Sequence, residues 1–200
     1  AGVGRYVKYD NVIPTAVATA PANVSFKSAA PGIYGVVTDT SALLTLVTGV
    51  QVQVKARGSF NASWKGTYLN GIGDWDNSAA KYAYWSTATF VGYSSGTWSI
   101  ALPSLTSVNN NKISVWVRAI AQAGNWQASP SQAQYNANQN ADGSDAYYFT
   151  YDSDIPFTGV TAPDKYALSV ATGLIAGTAF DAGTEPSGVG AVYLRMKRSD

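Results

Sequence analysis

The sequence predicts an all-β fold made of antiparallel sheets. Apolar and polar residues alternate in three segments, which is the pattern of strands with one buried face. Segments rich in Gly, Asn and Ser, which favour tight turns, lie at 92–97 (GYSSGT), 107–112 (SVNNNK) and 122–126 (QAGNW). No window of sufficient length shows the three- and four-residue apolar spacing of a helix. The chain is therefore expected to run from strand to turn to strand throughout.

The apolar members of the three alternating segments are predicted to form the core. They are Val50, Val52, Val54 and Ala56; Trp98, Ile100 and Leu102; and Ile113, Val115, Val117 and Ala119. In the first segment the intervening residues are Gln51, Gln53, Lys55 and Arg57. Because successive side chains of a strand point to opposite faces, these polar residues are predicted to face water.

One stretch of the sequence has a similar second copy. Residues 6–21 (YVKYDNVIPTAVATAP) recur without a gap as residues 148–163 (YFTYDSDIPFTGVTAP), and we call the spacing between residue 6 and residue 148 the repeat offset. The same offset matches further pairs, namely Gly35 with Gly177, Asp39 with Asp181, Val47 with Val189, Val50 with Val192 and Lys55 with Lys197. A register kept over this length indicates a tandem repeat.

The repeat divides the chain into three parts. Residues 1–14 are interpreted as the last strand of a preceding repeat, residues 15–156 as one complete repeat, and residues 157–200 as the first strands of a following repeat. The residues assigned to the inter-repeat junctions are Tyr9, Asp10 and Pro14 in one copy and Tyr151, Asp152 and Pro156 in the other. Each proline fixes φ and removes a backbone donor, so the junctions are predicted to be stiff.

Two stretches depart from the alternating pattern. Residues 58–86 contain Gly, Asn and many aromatic residues, and residues 129–145 are rich in Gln, Asn and Ala. Both are predicted to be long loops. Loops of this length inside a compact domain are uncommon and are often functional, so partners are expected to bind there.

Residues 96–126, followed by residues 147–156, resemble the strand E to strand G region of bacterial immunoglobulin-like or fibronectin type III-like repeats. The residues that carry the resemblance are Val115, Val117, Arg118, Ala119, Ala123, Gly124 and Asn125, then Tyr151, Asp152 and Pro156. Gln122 departs from the pattern, since the family often has an acidic residue there. The resemblance implies an immunoglobulin-like β-sandwich of the kind found in very long surface proteins, adhesins and filaments.

The composition disfavours several function classes. Only 12% of the residues are charged, against roughly 25% in an average soluble domain, so Ser, Thr, Asn, Gln and Gly must cover the surface. Such a surface favours an extracellular or cell-surface location. The net charge of +1 gives no electrostatic footprint for nucleic acid. No run approaches the roughly 20 apolar residues that cross a bilayer, so membrane insertion is not expected.

No catalytic residue and no cofactor is assigned from the sequence. The chain has no His and no Cys, and its single Glu is Glu185. Acid and base catalysis needs paired titratable groups, and a glycosidase needs two carboxylates at a fixed separation. Asp74 and Asp76 alternate on one turn and make a poor pair for this purpose. The chain is therefore predicted not to be an enzyme.

Calcium is left open as a ligand, because it binds closely spaced carboxylate and carbonyl oxygens. The candidate residues are Asp74, Asp76 and Asn77 in one loop, Asp10 and Asp152 at the junctions, and Asp39 and Asp181 after the next strand. The simpler interpretation is that these short side chains accept hydrogen bonds from backbone N–H groups at turns.

An aromatic block is the candidate for a ligand or subunit contact. It comprises Trp64, Tyr68, Trp75, Tyr84 and Trp85, and it is similar to an aromatic insertion in some of the repeats named above. Exposed rings could stack on the apolar faces of glycans. Packing of the rings against the fold is favoured, because each aromatic side chain buries roughly 150–250 Å².

The predicted function is that of a structural repeat in an extracellular filament, surface layer or long surface protein. Its expected partners are neighbouring repeats or other copies, with glycans as a further possibility. The first alternative is an adhesin or carbohydrate-binding module that uses the aromatic residues of loop 64–85. The second is a non-catalytic spacer in a large secreted enzyme.

Overall fold

The computed structural model describes residues 9–41, 46–57, 67–69, 75–76, 85–163, 174–183 and 186–197, with the backbone alone given for 67–69, 75–76, Gln132 and Asn136. Strands dominate these residues. They are β1 (Thr15–Ala20), β2 (Ser25–Lys27), β3 (Gly32–Thr38), β4 (Val47–Ala56), β5 (Thr67–Leu69), β6 (Trp75–Asp76), β7 (Ser86–Thr87), β8 (Thr89–Gly92), β9 (Ser95–Ala101), β10 (Asn111–Ala121), β11 (Tyr147–Tyr151), β12 (Phe157–Ala162) and β13 (Ala176–Phe180). One helix, α1 (Gln132–Ala137), and a 3-10 turn at Thr106–Val108 complete the assigned elements.

Strands β1 to β11 form two sheets, which we call the main body. One sheet has the order β1-β3-β9-β8, and the other has the order β2-β11-β10-β4 with the short strands β5, β6 and β7 beyond β4. The pairs are antiparallel except for β2 with β11. The prediction of an all-β fold with antiparallel sheets is confirmed.

Both sheets contribute to one hydrophobic core. Ile33 and Trp98 come from the first sheet, while Val52 and Phe149 come from the second. The inward positions predicted in β4 are all buried, and complete burial of one such side chain contributes about 1.5–3 kcal/mol. The Trp98 ring lies against the backbone of Gly35, where a Cβ atom would overlap the indole.

The outer face of β4 is not hydrated as predicted. Gln53 is fully buried and Lys55 is 4% exposed. Lys55 Nζ donates to the carbonyl oxygen of Tyr135 at 2.8 Å and to Oδ1 of Asn138 at 3.0 Å. The expectation of a wet face was wrong because a further layer of chain covers this part of the sheet.

That covering layer is the segment 129–145, which was predicted to be a long loop. It contains α1, whose N-terminus is capped by Ser131 with Gln134 in a reciprocal capping box. Tyr135 of α1 packs edge-on against Trp116 of β10, with ring centroids 5.0 Å apart. The amphipathic spacing is too short to be recognised as a helix, so the sequence pattern missed it.

The stretch 58–86 is also more regular than predicted. Within it, β5 pairs with the end of β4, β6 pairs with β5, and Ser86 of β7 pairs with Val52. The other residues between 58 and 84 lie outside the described ranges.

Strands β12 and β13 form a separate two-stranded sheet, the C-terminal strand pair. In β1 and β3 the paired residues are 15 with 38, 16 with 37, 17 with 36, 18 with 35 and 20 with 34. In β12 and β13 they are 157 with 180, 158 with 179, 159 with 178, 160 with 177 and 162 with 176. Each pair of the second set equals the matching pair of the first set moved by the repeat offset, and the register shift falls at the same place.

Within the part of the chain that is described, no helix has the length and apolar character needed to cross a membrane.

Candidate functional site

The predicted junction residues lie in or directly before two short segments, residues 10–14 (the first linker) and residues 152–156 (the second linker). Asp10 and Asp152 are both buried. The flanking tyrosines differ, because Tyr9 is 78% exposed whereas Tyr151 is buried. Pro14 is buried and Pro156 is exposed. The two linkers therefore share their aspartate but not their surroundings.

The first linker is tied to the turn that follows β10. Asn125 Nδ2 donates to the carbonyl oxygens of Asp10 and Val12, at 2.9 Å and 3.0 Å. Gln127 makes two bonds to the backbone of Ala16, accepting from its N–H at 2.8 Å and donating to its carbonyl at 3.2 Å. The side-chain amides thus hold the entry into β1. Asn125 was singled out only as part of the family resemblance, and its bonds to the first linker were not predicted.

The Asp10 carboxylate also stabilises the turn within its own linker. Its Oδ1 accepts from the N–H of Val12 at 2.9 Å. In the second linker, Oδ1 of Asp152 accepts from the N–H of Asp154 at 3.0 Å. The repeat offset relates the donors and the acceptors of these two bonds, so the local turn is repeated.

Asp152 makes a further bond to the C-terminal segment, residues 186–197. Its Oδ2 accepts from the N–H of Ser187 at 2.6 Å. Burial would raise the pKa of the Asp152 carboxyl, but the hydrogen bonds from Ser187 and Asp154 outweigh it and hold the pKa below its ordinary value. The ionised carboxylate therefore connects the second linker to the chain beyond β13.

The turn before β10 is hydrogen-bonded to the second linker. Asn109 Oδ1 accepts from the N–H and the hydroxyl of Ser153, at 2.8 Å and 3.0 Å. Its Nδ2 donates to Oδ1 of Asp154 at 2.8 Å, and Asn110 Nδ2 donates to Oδ2 of the same carboxylate at 2.6 Å. The sequence identified SVNNNK as a turn but missed these contacts, because the partner lies far along the chain.

Asn110 also meets the residues after β13. A Cβ atom at Gly183 would overlap the Asn110 side chain, so a glycine permits the close approach. Asp181 orders the same region, since its Oδ2 accepts from the hydroxyl of Ser187 at 3.1 Å and from the N–H of Gly188 at 2.8 Å. The second linker is therefore packed between the main body and the C-terminal segment.

The candidate calcium ligands make bonds of the backbone-capping kind. Asp39 Oδ1 accepts from the N–H of Ser41 at 2.9 Å, as Asp10, Asp152 and Asp181 accept from other N–H groups. Among the described residues, no group of three or more His, Cys, Asp or Glu side chains is placed to hold a metal ion. The candidate set in loop 58–86 cannot be placed, since Asp74 and Asn77 lie outside the described residues and Asp76 has only its backbone in β6.

The aromatic block is described only in part. Trp64 and Tyr84 lie outside the described residues, and Tyr68 and Trp75 are described only as backbone in β5 and β6. The ring of Trp85 lies 4.1 Å from the guanidinium carbon of Arg118. Trp126 lies on the same guanidinium at 4.5 Å. Trp85 is thus engaged in an internal cation–π stack.

Arg118 is held in that stack by neutral partners. It donates from Nε and Nη2 to Oε1 of Gln51, at 2.9 Å and 2.7 Å, and from Nη1 to Ser129 Oγ at 3.1 Å. These bonds connect β10 to β4 and to the covering layer, residues 129–145. A packing role accounts for Arg118 and for Trp85.

No protein-family model and no curated protein matches this chain. Function must therefore be inferred from the geometry of the linkers and the sheets. In the described residues, side chains bond both linkers to turns of the main body, and Asp152 also bonds the second linker to the C-terminal segment.

Proposed function

We propose that this chain is part of a tandem array of immunoglobulin-like β-sandwich repeats with a structural, non-enzymatic role. The array would belong to an extracellular filament, a surface layer or a long surface protein. Residues 15–156 are one complete repeat in this proposal. Its partners are neighbouring repeats or further copies of the chain.

The strand order of the main body supports an immunoglobulin-like sandwich. Seven-stranded immunoglobulin domains place strands A, B, E and D in one sheet and strands C, F and G in the other. Lettered in chain order with β2 as a second part of strand A, the main strands give A-B-E-D for β1-β3-β9-β8 and G-F-C for β11-β10-β4. The core between these sheets fits the same architecture.

The observation that carries the repeat proposal is the shared register of two strand pairs. The paired residues of β12 with β13 equal those of β1 with β3 once the repeat offset is applied, including the irregular step. Sequence similarity alone does not require the same pairing. A second copy of the same fold unit accounts for both the sequence and the pairing.

A mechanical role is supported by the linkers. The second linker is bonded to the main body through Asn109 and Asn110 and to the C-terminal segment through Asp152. Bonds on both sides oppose rotation about the linker, so successive units would keep a fixed angle. In a linear array each unit contacts only its neighbours, so the junctions determine how far the array bends. Fixed junction angles therefore make a stiff rod.

The proposal is tested by negative-stain electron microscopy of the native protein together with light scattering. Regular filaments, sheets or straight rods are expected, with a mass that corresponds to linear arrays. Dispersed compact particles would contradict the structural role. In that case a glycan array would separate the carbohydrate-binding alternative from a plain spacer.

A further inference from the structure

The C-terminal strand pair and the C-terminal segment expose residues whose counterparts in the main body form the core. Val192, Leu194 and Met196 are 61%, 55% and 76% exposed. Their counterparts one repeat offset earlier, Val50, Val52 and Val54, are 0%, 0% and 2% exposed. Ile175 shows the same contrast, at 41% exposed against 0% for Ile33.

In the main body, two further strands pair with the strands that carry these core positions. β9 pairs with β3, placing Ile100 opposite Ile33, and β10 pairs with β4, placing Val117 opposite Val52. Within the described residues, β13 pairs only with β12, and residues 186–197 form no strand. The surface of β12, β13 and residues 189–197, which we call the acceptor face, therefore lacks the counterparts of β9 and β10.

Among the described residues, no counterpart of the Trp98 ring lies beside Gly177. A Cβ atom at Gly35 would overlap both the Val17 carbonyl and the ring of Trp98. At Gly177, the corresponding glycine, the nearest atoms to a Cβ belong to the backbone of Gly159 and Val160 instead of an indole. Trp98 also donates from Nε1 to the Val36 carbonyl at 3.2 Å. The matching carbonyl on the acceptor face is that of Thr178.

The acceptor face contains a cavity at this place. Its volume is about 350 Å³, and its lining includes Gly159, Ile175, Gly177, Val192 and Leu194. The main-body counterparts of the last four contribute to the core or lie against Trp98. The cavity is thus the unfilled counterpart of the core of the main body.

We propose that the acceptor face binds the β9- and β10-type strands of a further repeat unit of the same polypeptide. The occupant pairs with β13 as β9 pairs with β3, and with residues 189–197 as β10 pairs with β4. A tryptophan of the occupant covers Gly177 and donates its indole N–H to the Thr178 carbonyl. This inference rests on the tandem-repeat part of the proposed function, and it adds the identity and the register of the covering strands.

The test extends the full chain with its own sequence. Residue 200 corresponds to residue 58 at the repeat offset, so residues 59–156 are appended after Asp200. Amide hydrogen exchange is followed in the peptides that cover 175–180 and 189–197. We expect these amides to exchange roughly tenfold more slowly, or slower still, in the extended chain, because strand pairing removes them from solvent.

Two matched variants of the extended chain make the test specific. Leu194→Asp places a charge on the acceptor face and is expected to abolish the protection. Val91→Asp in the main body places the same charge at a 69% exposed position of β8, outside the acceptor face, and is expected to retain it. Trp98→Ala in the appended copy is expected to lose protection at 175–180. Exchange in β4 of the main body, which the appended residues do not duplicate, reports whether each variant is folded.

Equal exchange with and without the appended residues would overturn the inference. Protection that is already present in the unextended chain and rises with its concentration would also overturn it, since a second copy would then cover the face. Filaments without protection at 189–197 would reject the acceptor face alone. Protection without filaments would keep the acceptor face and reject the filament role.

Discussion

The strand pairs β1–β3 and β12–β13 have the same register but opposite environments. Ala16 and Val37 are each 1% exposed, whereas their counterparts Thr158 and Ala179 are exposed. The shared register indicates that pairing between neighbouring strands is determined locally by the repeated sequence. Burial requires the second sheet, which comes from residues distant in the chain. The comparison separates the local contribution to strand pairing from the long-range contribution to burial.

The largest effect is expected from Trp98→Ala, because this side chain is 1% exposed and its ring lies against Gly35. Removing a buried Trp costs about 3–5 kcal/mol of unfolding free energy, through lost transfer energy and a cavity against Gly35. Urea denaturation followed by far-UV circular dichroism measures the change. A cost below about 1 kcal/mol would mean that Trp98 does not fill the core of the main body.

The matched substitutions Ile33→Ala and Ile175→Ala compare the two environments at one repeat position. Ile33→Ala is expected to cost about 2–5 kcal/mol, as is usual for a buried Ile. Ile175→Ala, at a half-exposed site, is expected to cost within about 0.5 kcal/mol. Equal costs in the same urea assay would show that both strand pairs are buried alike in solution.

The pair Lys55→Ala and Lys197→Ala tests the covering layer on β4. Lys55 is buried and bonded to Tyr135 and Asn138, so its removal leaves buried acceptors unpaired and costs about 1–3 kcal/mol. Lys197 is exposed, and its removal is expected to change stability by no more than about 0.5 kcal/mol. If both variants melt at the temperature of the parent chain, α1 does not cover β4 as described.

The linkers provide a smaller contrast. Asp154 is held by Asn109 and Asn110, whereas its counterpart in the first linker is Val12. Asn109→Ala is expected to cost about 0.5–1.5 kcal/mol and to increase backbone motion at residues 153–156. Backbone nitrogen-15 relaxation measures that motion. Asn125→Ala, which acts on the first linker, is the matched control and should leave residues 153–156 unchanged.

The smallest effect is expected from acid. Because the pKa of Asp152 in the folded chain lies below its ordinary value, the ionised carboxylate stabilises the folded chain at neutral pH. This stabilisation is lost as the pH falls through the lowered pKa, which lies below the ordinary pKa of an aspartate. Exchange at the Ser187 amide should therefore show an added acceleration in acid. Asp152→Asn should remove that pH dependence, and an unchanged profile in the variant would contradict the assignment.

The sequence predicted the parts of the fold that depend on local pattern. Two-residue alternation identified the inward positions of β4, β9 and β10. The turn predicted at GYSSGT is shorter than expected, because only Tyr93 and Ser94 lie between β8 and β9. Alternation could not report on the outer face of β4, because Gln53 and Lys55 are polar whether they face water or a covering layer. Only the contacts with Tyr135 and Asn138 distinguish these two cases.

The candidate site was predicted less fully than the fold. Repetition placed the linkers and their aspartates, because Asp10 and Asp152 recur at one offset. The residues that hold the linkers were missed, since Asn109, Asn110 and Asn125 act on partners far away in the chain. Amides in turns satisfy local or distant groups equally well, so their sequence context does not identify the partner.

The stiffness of the second linker is the central claim, and residual dipolar couplings test it most directly. Couplings are measured for backbone amides of the main body and of β12 and β13 in the same aligned sample. If the linker is stiff, one alignment tensor fits both sets at neutral pH. Two different tensors, or strongly reduced couplings in β12 and β13, would show independent motion and would contradict a stiff array.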